Sequence, residues 1–386
     1  MKRNILVAHG GGPTTVINAS LFGVIDEAMR QSSSGKVFGA IHGVEGVLND
    51  ELIELSSQDQ KQLVLLPYTP ASAIGSCRRK LTDADYPRIL EVLKKHDIGC
   101  FFYNGGNDSM DTCNKIAKLA EASGYDLAVI GIPKTIDNDL ALTDHCPGYG
   151  SAARFIANNT RDLWMEVRAM PMYVTIMETM GRNAGWLTAA GSIPDYDGKP
   201  CAQLVYLPEY AFDENAFLAD VDNLLHKQRE ILIVVSEGLA DENGKMIADL
   251  GIVDGFGHKL AGGAAQALCD KVTARLGVRA RAERHGFLGR CSMIMQSAQD
   301  REEAIAVGRH AVRLAFSGHT GLMAAIRRDS DHPYAWSLTE VPLENVAKFP
   351  LEWINQGRNG ITDEFRTYAL PLIGEPLPPY AVLSGR

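Results

Sequence analysis

The sequence predicts an α/β protein with mainly parallel sheets, because short apolar runs alternate along the chain with segments of helical character. The runs are continuous rather than alternating in polarity, as expected for strands that are buried on both faces. A helical segment from about Thr15 to Met29 follows the first run, and this alternation implies right-handed βαβ crossovers. The predicted strands are Asn4–Ala8, Val37–Ile41, Gly99–Tyr103, Leu127–Ile132, Met172–Met177 and Ile231–Val235.

Length, composition and charge narrow the class of protein. The 386 residues are enough for two domains or for one large α/β unit. The net charge of −9 argues against a general binder of nucleic acid or of anionic membranes, since either needs a basic face. No apolar stretch approaches the roughly 18 residues needed to cross a bilayer, and Ile5–Ala8 is too short for a secretion signal. The seven cysteines include no CxxC pair, so we expect reduced thiols in a cytoplasmic protein.

Almost every predicted strand ends in a cluster of glycines or charged residues. Ligands of open α/β sheets bind outside the carboxyl ends of the strands, so the pattern predicts one composite site formed by several loops. The first loop is Gly10–Thr15, between a strand and a helix. Its glycines permit close approach of a ligand, and the helix N-terminus offers N–H groups to an anion. A simple tight turn explains this loop equally well, and no Walker A motif occurs in the sequence.

The second and third loops carry the residues best suited to phosphate and metal chemistry. Asn104–Ser109 (NGGNDS) is a plausible phosphate and metal seat, although Asp108 or Ser109 could merely cap a helix. Pro133–Asp139 (PKTIDND) places two carboxylates beside a lysine. Mg²⁺ prefers oxygen ligands, a hydroxyl nucleophile needs a carboxylate base, and lysine neutralises a transferring phosphoryl group. A turn rich in Asx residues is the alternative, and we favour the functional interpretation.

A further set of candidates is basic or lies at the end of a later strand. Arg78, Arg182 and Arg290 stand beside glycines at loop positions, which in an acidic protein indicates anion recognition. Any one of them alone is better explained as a surface ion-pair partner. Glu237 ends a strongly apolar strand and either binds a sugar hydroxyl or caps the following turn.

The order of these motifs resembles that of the phosphofructokinases. Over Asn4 to Arg301 the chain shows Gly-Gly, Gly-Ser-x-Arg, Gly-Gly-x-Asp-Ser, Pro-Lys-Thr-Ile-Asp-Asn-Asp, Met-Gly-Arg and a late Gly-x-Leu-x-Arg. The resemblance implies two Rossmann-like, three-layer α/β/α domains with mainly parallel sheets. Residues 1–141 with about 300–350 would bind the phosphoryl donor, 142–299 would bind a sugar, and 351–386 would form a helical or extended tail.

The resemblance also implies a Mg²⁺-dependent transfer to the 1-hydroxyl of a sugar, and it assigns a role to each matching residue. Asp137 would be the catalytic base, and Lys134 and Thr135 would contact the transferring group. The expected donor-binding residues are Gly11, Gly12, Arg78, Gly106, Asp108 and Ser109. The expected sugar-binding residues are Asp139, Met180, Gly181, Arg182, Glu237, Arg290, Arg301 and Tyr173. The expected metal ligands are Asn107, Asp108 and Asp139.

Two positions predict pyrophosphate rather than ATP as the donor. Family members that use ATP carry glycine where this chain has Asp108 and Lys134. A carboxylate at Asp108 would repel the α-phosphate of a nucleotide, and Lys134 would supply a cation to the smaller, highly charged pyrophosphate. An ATP-dependent sugar kinase of the same fold and a non-catalytic regulatory homologue are the alternatives. Asn107, where the family more often has aspartate, motivates the second.

The acceptor stays open between two sugars. Members that bind fructose 6-phosphate usually have a cation where this chain has Tyr173, and Gly286–Met295 is largely apolar apart from Arg290. A 6-phosphate dianion needs several charge-assisted hydrogen bonds. Fructose 6-phosphate and its sulfonate analogue 6-deoxy-6-sulfofructose are therefore both candidates. The resemblance further implies a homodimer or homotetramer with shared active sites, with Tyr173 and Arg290 at the shared edge.

Overall fold

The computed structural model describes residues 3–170, 174–253, 259–261, 263–346 and 351–383. The chain divides into two compact units: unit 1 comprises Met1–Tyr149 and Arg290–Phe349, and unit 2 comprises Gly150–Gly289 and Pro350–Arg386. The strands are β1 (Arg3–His9), β2 (Ser34–Ala40), β3 (Leu52–Glu54), β4 (Ile98–Gly105), β5 (Ala128–Pro133), β6 (Val174–Thr179), β7 (Asp195–Tyr196), β8 (Lys199–Pro200), β9 (Leu204–Tyr206), β10 (Ile231–Ser236), β11 (Asp249–Val253), β12 (Lys259–Ala261), β13 (Ala280–Arg284), β14 (Leu322–Asp331) and β15 (Tyr334–Pro342).

The helices follow the strands in the expected alternation over most of the chain. They are α1 (Ile17–Arg30), α2 (Val44–Asn49), α3 (Gln60–Leu63), α4 (Asp85–Lys95), α5 (Asn107–Ala122), α6 (Tyr149–Ala169), α7 (Trp186–Ala190), α8 (Glu214–Leu225), α9 (Ala264–Leu276), α10 (Leu288–Cys291), α11 (Ala298–Phe316) and α12 (Asp363–Ala369). Short 3₁₀ helices cover Leu66–Tyr68, Met293–Met295 and Leu343–Asn345. Within the described ranges, no helix combines the length and apolar character needed to cross a bilayer.

Unit 1 is built on a seven-stranded sheet in the order β15-β14-β5-β4-β1-β2-β3. The inner strands pair in parallel, and the edge strands β3 and β15 pair antiparallel. Alternate residues of β1 point to opposite faces: Leu6 packs with α2, α4 and α5, whereas Ile5 packs with α1 and α11. Both faces are therefore covered, which explains the continuous apolar runs. The predicted three-layer α/β/α architecture is confirmed in this unit.

Helices α1 and α11 pack together through two glycines. A Cβ atom built on Gly23 would lie 2.2 Å from the carbonyl oxygen of Ile305, and one built on Gly308 would lie 2.2 Å from that of Ser20. Neither position has room for a side chain, so the two helix backbones approach closely here. This contact covers the face of the sheet that carries Ile5.

Unit 2 contains a smaller parallel sheet with the order β13-β6-β10-β9. Its strand β10 is buried along its whole length, as the run Ile231–Val235 predicts. Helices α8 and α9 supply the apolar side chains on one face, and α7 packs against β6, β9 and β10. The α/β class predicted from the sequence holds for this unit as well.

The last residues of the chain pack on unit 2 rather than forming a separate body. Trp353, Phe365 and Tyr368 surround Trp186, with ring centroids 5.9, 6.5 and 5.3 Å from that of Trp186. Arg154 of α6 donates to the carbonyl oxygen of Ile373 at 2.8 Å. The segment predicted as a tail, 351–386, therefore begins with an aromatic cluster that belongs to the core of unit 2.

The division of the chain also differs from the predicted boundaries at 141 and about 300. Residues 142–149 cluster with unit 1, because the backbone N–H of Asp144 donates to Ile326 at 2.8 Å and its carboxylate pairs with Arg328 at 3.0 Å. Residues 290–299 do the same, because the Gln296 amide donates to the carbonyl oxygens of Thr15 and Pro67 at 3.2 and 2.9 Å. These side-chain contacts leave no periodic signature in the sequence.

Phe365→Ala tests whether the C-terminal segment stabilises unit 2. Phe365 is fully buried in the aromatic cluster, so its truncation should lower the free energy of unfolding by about 3–5 kcal/mol. Urea unfolding followed by tryptophan fluorescence measures this, because Trp186 and Trp353 lie in the same cluster. Leu370→Ala is the matched control: Leu370 is 45% exposed, and its truncation should change stability by less than about 0.5 kcal/mol. Equal losses in both variants would contradict the assignment.

Candidate active site

The site in unit 1 is formed where β1, β4 and β5 end side by side. The backbone N–H of Gly10 donates to the carbonyl oxygen of Asn104 at 2.9 Å, and that of Lys134 donates to Gly105 at 3.0 Å. The three strands are parallel neighbours, so their carboxyl ends meet at one edge of the sheet. The three loops singled out in the sequence are thus brought together by sheet pairing alone.

The first glycine loop is held in place by the segment that carries Arg78. Gly11 has φ of 75°, a left-handed conformation that favours glycine. Its N–H donates to the carbonyl oxygen of Cys77 at 3.0 Å, and its own carbonyl accepts from the hydroxyl of Ser76 at 2.7 Å. The backbone that precedes Arg78 is therefore held against the glycine loop by hydrogen bonds.

Three cations converge on this loop. Lys134 is only 3% exposed, and its amine donates to the carbonyl oxygens of Gly10 and Gly12 at 2.8 and 2.7 Å. A Cβ atom built on Gly12 would lie 2.5 Å from Nη1 of Arg290 and 3.3 Å from Nη2 of Arg78. The absence of a side chain at Gly12 is therefore what leaves room for the two guanidinium groups.

The electrostatic consequence is visible in the pKa of Lys134. Burial, followed by the positive charges of Arg290 and Arg78, lowers the pKa of its amine to about 7. Asp137 opposes the effect of the two guanidinium groups on this pKa, and a bound anion with several negative charges would offset their positive charges further. The cluster is therefore suited to a compact, highly charged oxyanion.

Helix α5 begins directly at the second loop. Its N-cap residue is Gly106, which offers no side chain, and Asp108 and Ser109 lie within the first turn. The alternative that one of these two residues caps the helix is therefore wrong. The acidic Asp108 is exposed at the positive end of the helix dipole, whereas Ser109 is buried.

The buried Ser109 hydroxyl occupies the space between two glycines. Its Oγ would lie 2.3 Å from a Cβ on Gly10 and 2.0 Å from a Cβ on Gly105. Larger residues at either glycine would displace the hydroxyl from the loop. Ser109, one of the predicted donor-binding residues, thus packs between the first two loops.

The third loop presents its two carboxylates half-buried. The backbone N–H of Asp137 donates to Oγ1 of Thr135 at 3.1 Å, which shapes the turn between them. The side-chain amide of Asn107 donates to Oδ2 of Asp139 at 3.1 Å. The predicted metal residues Asn107 and Asp139 are therefore in direct contact.

The residue types present fit Mg²⁺, because Asp108 and Asp139 carry carboxylates and Asn107 carries an amide oxygen, the hard ligands that this ion prefers. In the contact described above, Asn107 presents its amide N–H to Asp139. No cluster of three or more His, Cys, Asp or Glu side chains suited to a metal occurs in the part of the chain that the structure describes. Mg²⁺ usually takes one or two protein carboxylates and completes its shell with water and substrate phosphates.

In unit 2, the neighbouring strands β6 and β10 bring a second group of predicted residues together. Gly181, with φ of 118°, follows β6, and its carbonyl accepts from the Ser236 hydroxyl at 2.7 Å. Its N–H lies 3.4 Å from a carboxylate oxygen of Glu237. Burial raises the pKa of Glu237, and the Gly181 N–H partly offsets this. Met180 and Arg182 flank Gly181, so this turn and Glu237 form one polar cluster.

An ion pair beside this cluster, between a buried glutamate and an exposed arginine, was not recognised in the sequence. Glu178 of β6 is buried, pairs with Arg284 at 3.1 Å and accepts two backbone N–H groups at the start of α9. His285 lies 3.1 Å from the sulfur of Met177, and burial lowers the pKa of its imidazole, which is therefore neutral near pH 7. Both residues line a small pocket of unit 2 together with Met180. Glu178 is a glutamate inside an apolar strand, and this was the sequence signal that could have revealed the ion pair.

Arg290 lies beside residues that the sequence assigned to a different role. Its guanidinium lies against Gly12 and its backbone belongs to unit 1. The role of Arg290 in sugar binding stays a prediction.

Two other residues, Arg301 and Tyr173, are also predicted from the sequence to bind the sugar. The guanidinium of Arg301 stacks on the ring of Tyr68, 5.0 Å from its centroid, and donates to Oε1 of Gln296 at 2.9 Å. It lies in unit 1. Tyr173 falls outside the described residues. The roles of both residues stay predictions.

His9 is a second feature that the sequence interpretation missed. It is fully buried at the end of β1, directly before the glycine loop, and its Nδ1 lies 2.7 Å from the hydroxyl of Ser72. Burial and the nearby Lys134 lower the pKa of its imidazole to about 3, so the ring is neutral. A lone histidine in an apolar run gave only a weak signal.

The parallel sheet, the converging cations and the half-buried carboxylates define an α/β protein equipped to bind phosphate groups. The family model for phosphofructokinase matches residues 4–315. A pyrophosphate–fructose 6-phosphate 1-phosphotransferase of Methylococcus capsulatus is 41% identical, with 98% of this chain and 94% of that protein covered. A crystal structure of a pyrophosphate-dependent phosphofructokinase from Marinobacter aquaeolei is 38% identical, with a TM-score of 0.88 and coverage of 98% and 94%.

A more distant relative carries a different name. The sulfofructose kinase of Alkalicoccus urumqiensis is 33% identical, with 89% of this chain and 88% of that protein covered. Together these matches extend over nearly the whole chain. The chain belongs to the phosphofructokinase family.

The pKa of Lys134 predicts that pyrophosphate binding is coupled to proton uptake. With a pKa of about 7 in the free protein, the amine is roughly nine-tenths neutral at about pH 8. A bound anion favours the ammonium form, so binding should take up as much as one proton there, and affinity should fall as the pH rises above about 7. Calorimetry in buffers of different ionisation enthalpy measures this uptake.

The control variants distinguish proton uptake by Lys134 from proton uptake by pyrophosphate itself. Lys134→Met should abolish the part of the uptake that the amine contributes, whereas Lys118→Met, at an exposed lysine, should preserve it. Equal proton uptake in all three proteins would contradict the assignment of the lowered pKa to Lys134.

Proposed function

We propose that this protein is a Mg²⁺-dependent phosphotransferase that uses inorganic pyrophosphate to phosphorylate the 1-hydroxyl of a fructose 6-phosphate-like ketose. The observation that carries the proposal is the convergence of Lys134, Arg78 and Arg290 on Gly12. This cluster concentrates positive charge in a space bounded by backbone. A compact diphosphate matches that charge without needing room for a nucleoside.

Pyrophosphate is favoured over ATP for two physical reasons. Lys134 supplies a cation inside the loop, where a glycine would leave space for more of a nucleotide. The carboxylate of Asp108 is exposed at the start of α5, where it would repel the α-phosphate of a nucleotide. The relatives named as pyrophosphate-dependent, which cover nearly the whole chain, support the same donor.

For catalysis we assign the transfer to positioning and charge neutralisation. Asp137 accepts the proton of the sugar hydroxyl, as its half-buried carboxylate permits. The three cations and the hydroxyl of Thr135 stabilise the charge of the transferring phosphoryl group. Asn107, Asp108 and Asp139 would hold Mg²⁺. When bound, the ion neutralises phosphate oxygens and orients them for in-line transfer.

We assign acceptor binding to the turn Met180–Arg182 and to Glu237 in unit 2. The raised pKa of Glu237 reflects a buried carboxylate, a group suited to accept a hydrogen bond from a sugar hydroxyl. Fructose 6-phosphate is the first candidate, in agreement with the names of the more similar relatives.

6-Deoxy-6-sulfofructose is the second candidate, and a specific observation favours it. Arg284 is already paired with Glu178, and His285 is neutral, so neither offers an uncommitted charge to a 6-phosphate dianion. A sulfonate carries one negative charge and needs fewer charge-assisted bonds. The relative named sulfofructose kinase is consistent with this alternative.

We further propose a cytoplasmic homodimer or homotetramer. The loop that carries Arg290 exposes large apolar side chains: Phe287 is 70% exposed and Ile294 is 90% exposed. Exposed apolar groups at a site loop are typical of a surface that another subunit covers. Shared active sites, with Tyr173 and Arg290 at the interface, remain part of this proposal.

Initial rates with two donors and two acceptors test the proposal. Mg-pyrophosphate and Mg-ATP are each combined with fructose 6-phosphate and with 6-deoxy-6-sulfofructose, and Asp137→Asn serves as the catalytic control. We expect transfer from pyrophosphate, little from ATP, and a loss of about 10²–10⁴-fold in kcat for Asp137→Asn. Chelation of Mg²⁺ should abolish the rate.

Each alternative has its own outcome in this experiment. Transfer from ATP alone would identify an ATP-dependent sugar kinase, and no transfer from either donor would identify a non-catalytic homologue. A faster rate with the sulfonate than with the phosphate would replace the first acceptor by the second.

The double variant Asp108→Gly with Lys134→Gly tests the donor argument. It removes the carboxylate that repels a nucleotide and the cation that fills the loop, so the rate with ATP relative to pyrophosphate should rise by at least about tenfold. Asp111→Gly with Lys115→Gly, an exposed ion pair on the same helix, is the matched control and should leave the ratio unchanged. An unchanged ratio in the first variant would refute the donor argument.

A further inference from the structure

The acidic loop is the third loop of the site, Pro133–Asp139. The residue between its two carboxylates has no role in the proposed function. Asn138 lies between Asp137 and Asp139, is 3% exposed and has φ of 53°. Asparagine is one of the few residues other than glycine that tolerates this left-handed conformation. Its Oδ1 accepts a hydrogen bond of 2.8 Å from the backbone N–H of Cys146, which is also buried. The side chain thus ties the loop to a segment eight residues further along the chain.

That segment, Thr143–Gly148, is fixed at both of its ends. Oγ1 of Thr143 accepts from the backbone N–H of Ile326 at 3.0 Å. The N–H of Gly148 donates to Asp300 of α11 at 2.8 Å, and Gly148 pairs with Thr135 in an isolated bridge. Strand β14 and helix α11 therefore hold the segment, and the acidic loop contacts it through Thr135 and Asn138.

The middle of the segment is anchored by a buried ion network. The imidazole of His145 lies 2.8 Å from Asp144 and 2.6 Å from Glu303, and Glu303 also accepts from the hydroxyl of Tyr334 at 2.7 Å. Burial alone would lower the pKa of His145, but Glu303 and Asp144 outweigh it and raise this pKa to about 10. The imidazole is thus charged and doubly paired throughout the neutral range. Moving it would leave buried charges without partners, so the segment is rigid.

We propose that Asn138 is a positioning residue: its side chain and left-handed backbone set the placement of Asp137 and Asp139 against the anchored segment Thr143–Gly148. Asp139 is held from its other side by Asn107 at 3.1 Å. The two carboxylates that would act in catalysis and metal binding are thus fixed by contacts to two different elements. This inference rests on the proposed function, since it concerns the same two carboxylates.

The inference predicts a particular kinetic defect. Misplacement of a catalytic group by about 1 Å can cost a hundredfold in rate. Asn138→Gly keeps the left-handed backbone accessible and removes only the hydrogen-bond acceptor. We expect kcat to fall by about 10–100-fold, while KM for pyrophosphate stays within about threefold, because the cations around Gly12 are untouched. Asn138→Ala, which also loses the left-handed preference, should lower kcat further.

Hydrogen exchange gives a readout that does not depend on activity. The backbone N–H of Cys146 should lose protection in Asn138→Gly and keep it in Asn138→Asp, which retains the acceptor. The N–H of Gly148, bonded to Asp300, should keep its protection in both variants. If Asn138→Gly does not fold, Asn138→Asp still tests the inference. This variant keeps the acceptor oxygen, so it must fold and protect the backbone N–H of Cys146.

Asp97→Gly is the matched control, because Asp97 is exposed, also has a left-handed φ, of 50°, and lies in unit 1. Its kcat should stay within about twofold of the wild type. A wild-type kcat in Asn138→Gly, an effect on KM alone, or unchanged exchange at Cys146 would overturn the inference. Absence of activity in the wild-type protein with every donor and acceptor would instead defeat the proposed function, and the exchange experiment would still decide the role of Asn138.

Discussion

The register of three parallel strands is the constraint on which the site depends. Strands β1, β4 and β5 are bonded so that Gly10 pairs with the end of β4 and Lys134 with Gly105. A slip of one residue in either pairing would turn every side chain to the other face and bury the loop residues in the wrong layer. Because both faces of the sheet are apolar and covered by helices, such a slip is strongly disfavoured. The energy that fixes the register comes from the core, whereas the groups that it aligns are polar.

The stability of the same core offsets the electrostatic repulsion among the cations near Gly12. Lys134 is buried beside two guanidinium groups, and its lowered pKa records the cost of that arrangement. Two backbone carbonyls compensate the amine in part. A bound polyanion would offset the repulsion that remains between Lys134 and the two guanidinium groups. The three positive charges would therefore be better balanced in the complex than in the free protein. Preorganised charge of this kind binds a phosphate group without first having to reorganise.

Much of the fold and part of the site can be predicted from the sequence, because both are encoded locally. Continuous apolar runs give β1, β2, β4 and β5 of the larger sheet and β6 and β10 of the smaller one, and glycine clusters after them give the loops. The prediction misses the parallel strands β9 and β13 of the smaller sheet, and β13 has no apolar run. Strands β14 and β15 are not among the strands predicted from the sequence. The apolar run at the start of β14 is largely buried, but polar residues such as Arg327 and Asp329 fill its second half. Strand β15 is an edge of the sheet and none of its residues is fully buried, so its apolar pattern is weak.

The rest of the site depends on long-range contacts that a single sequence does not record. Arg290 lies beside Gly12 although 278 positions separate them, and His145 pairs with Glu303 across 158 positions. The Asx-rich character of Asp137–Asp139 indicated a turn, but it did not show that Asn138 is the residue bonded to Cys146. Local chemistry therefore identifies which residues are reactive, and only the tertiary structure identifies which residues hold them.

The two units differ in how their charged side chains are paired. Under the proposed function, this difference determines which of the two substrates is recognised by its charge. In unit 1, three cations lie around Gly12, and the amine of Lys134 is hydrogen-bonded to two backbone carbonyl oxygens. In unit 2, Arg284 pairs with Glu178, and His285 is uncharged. Under the proposed function, charge complementarity would therefore contribute more to recognition of the donor, whereas the acceptor would be recognised more by its shape and by hydrogen bonds to its hydroxyl groups.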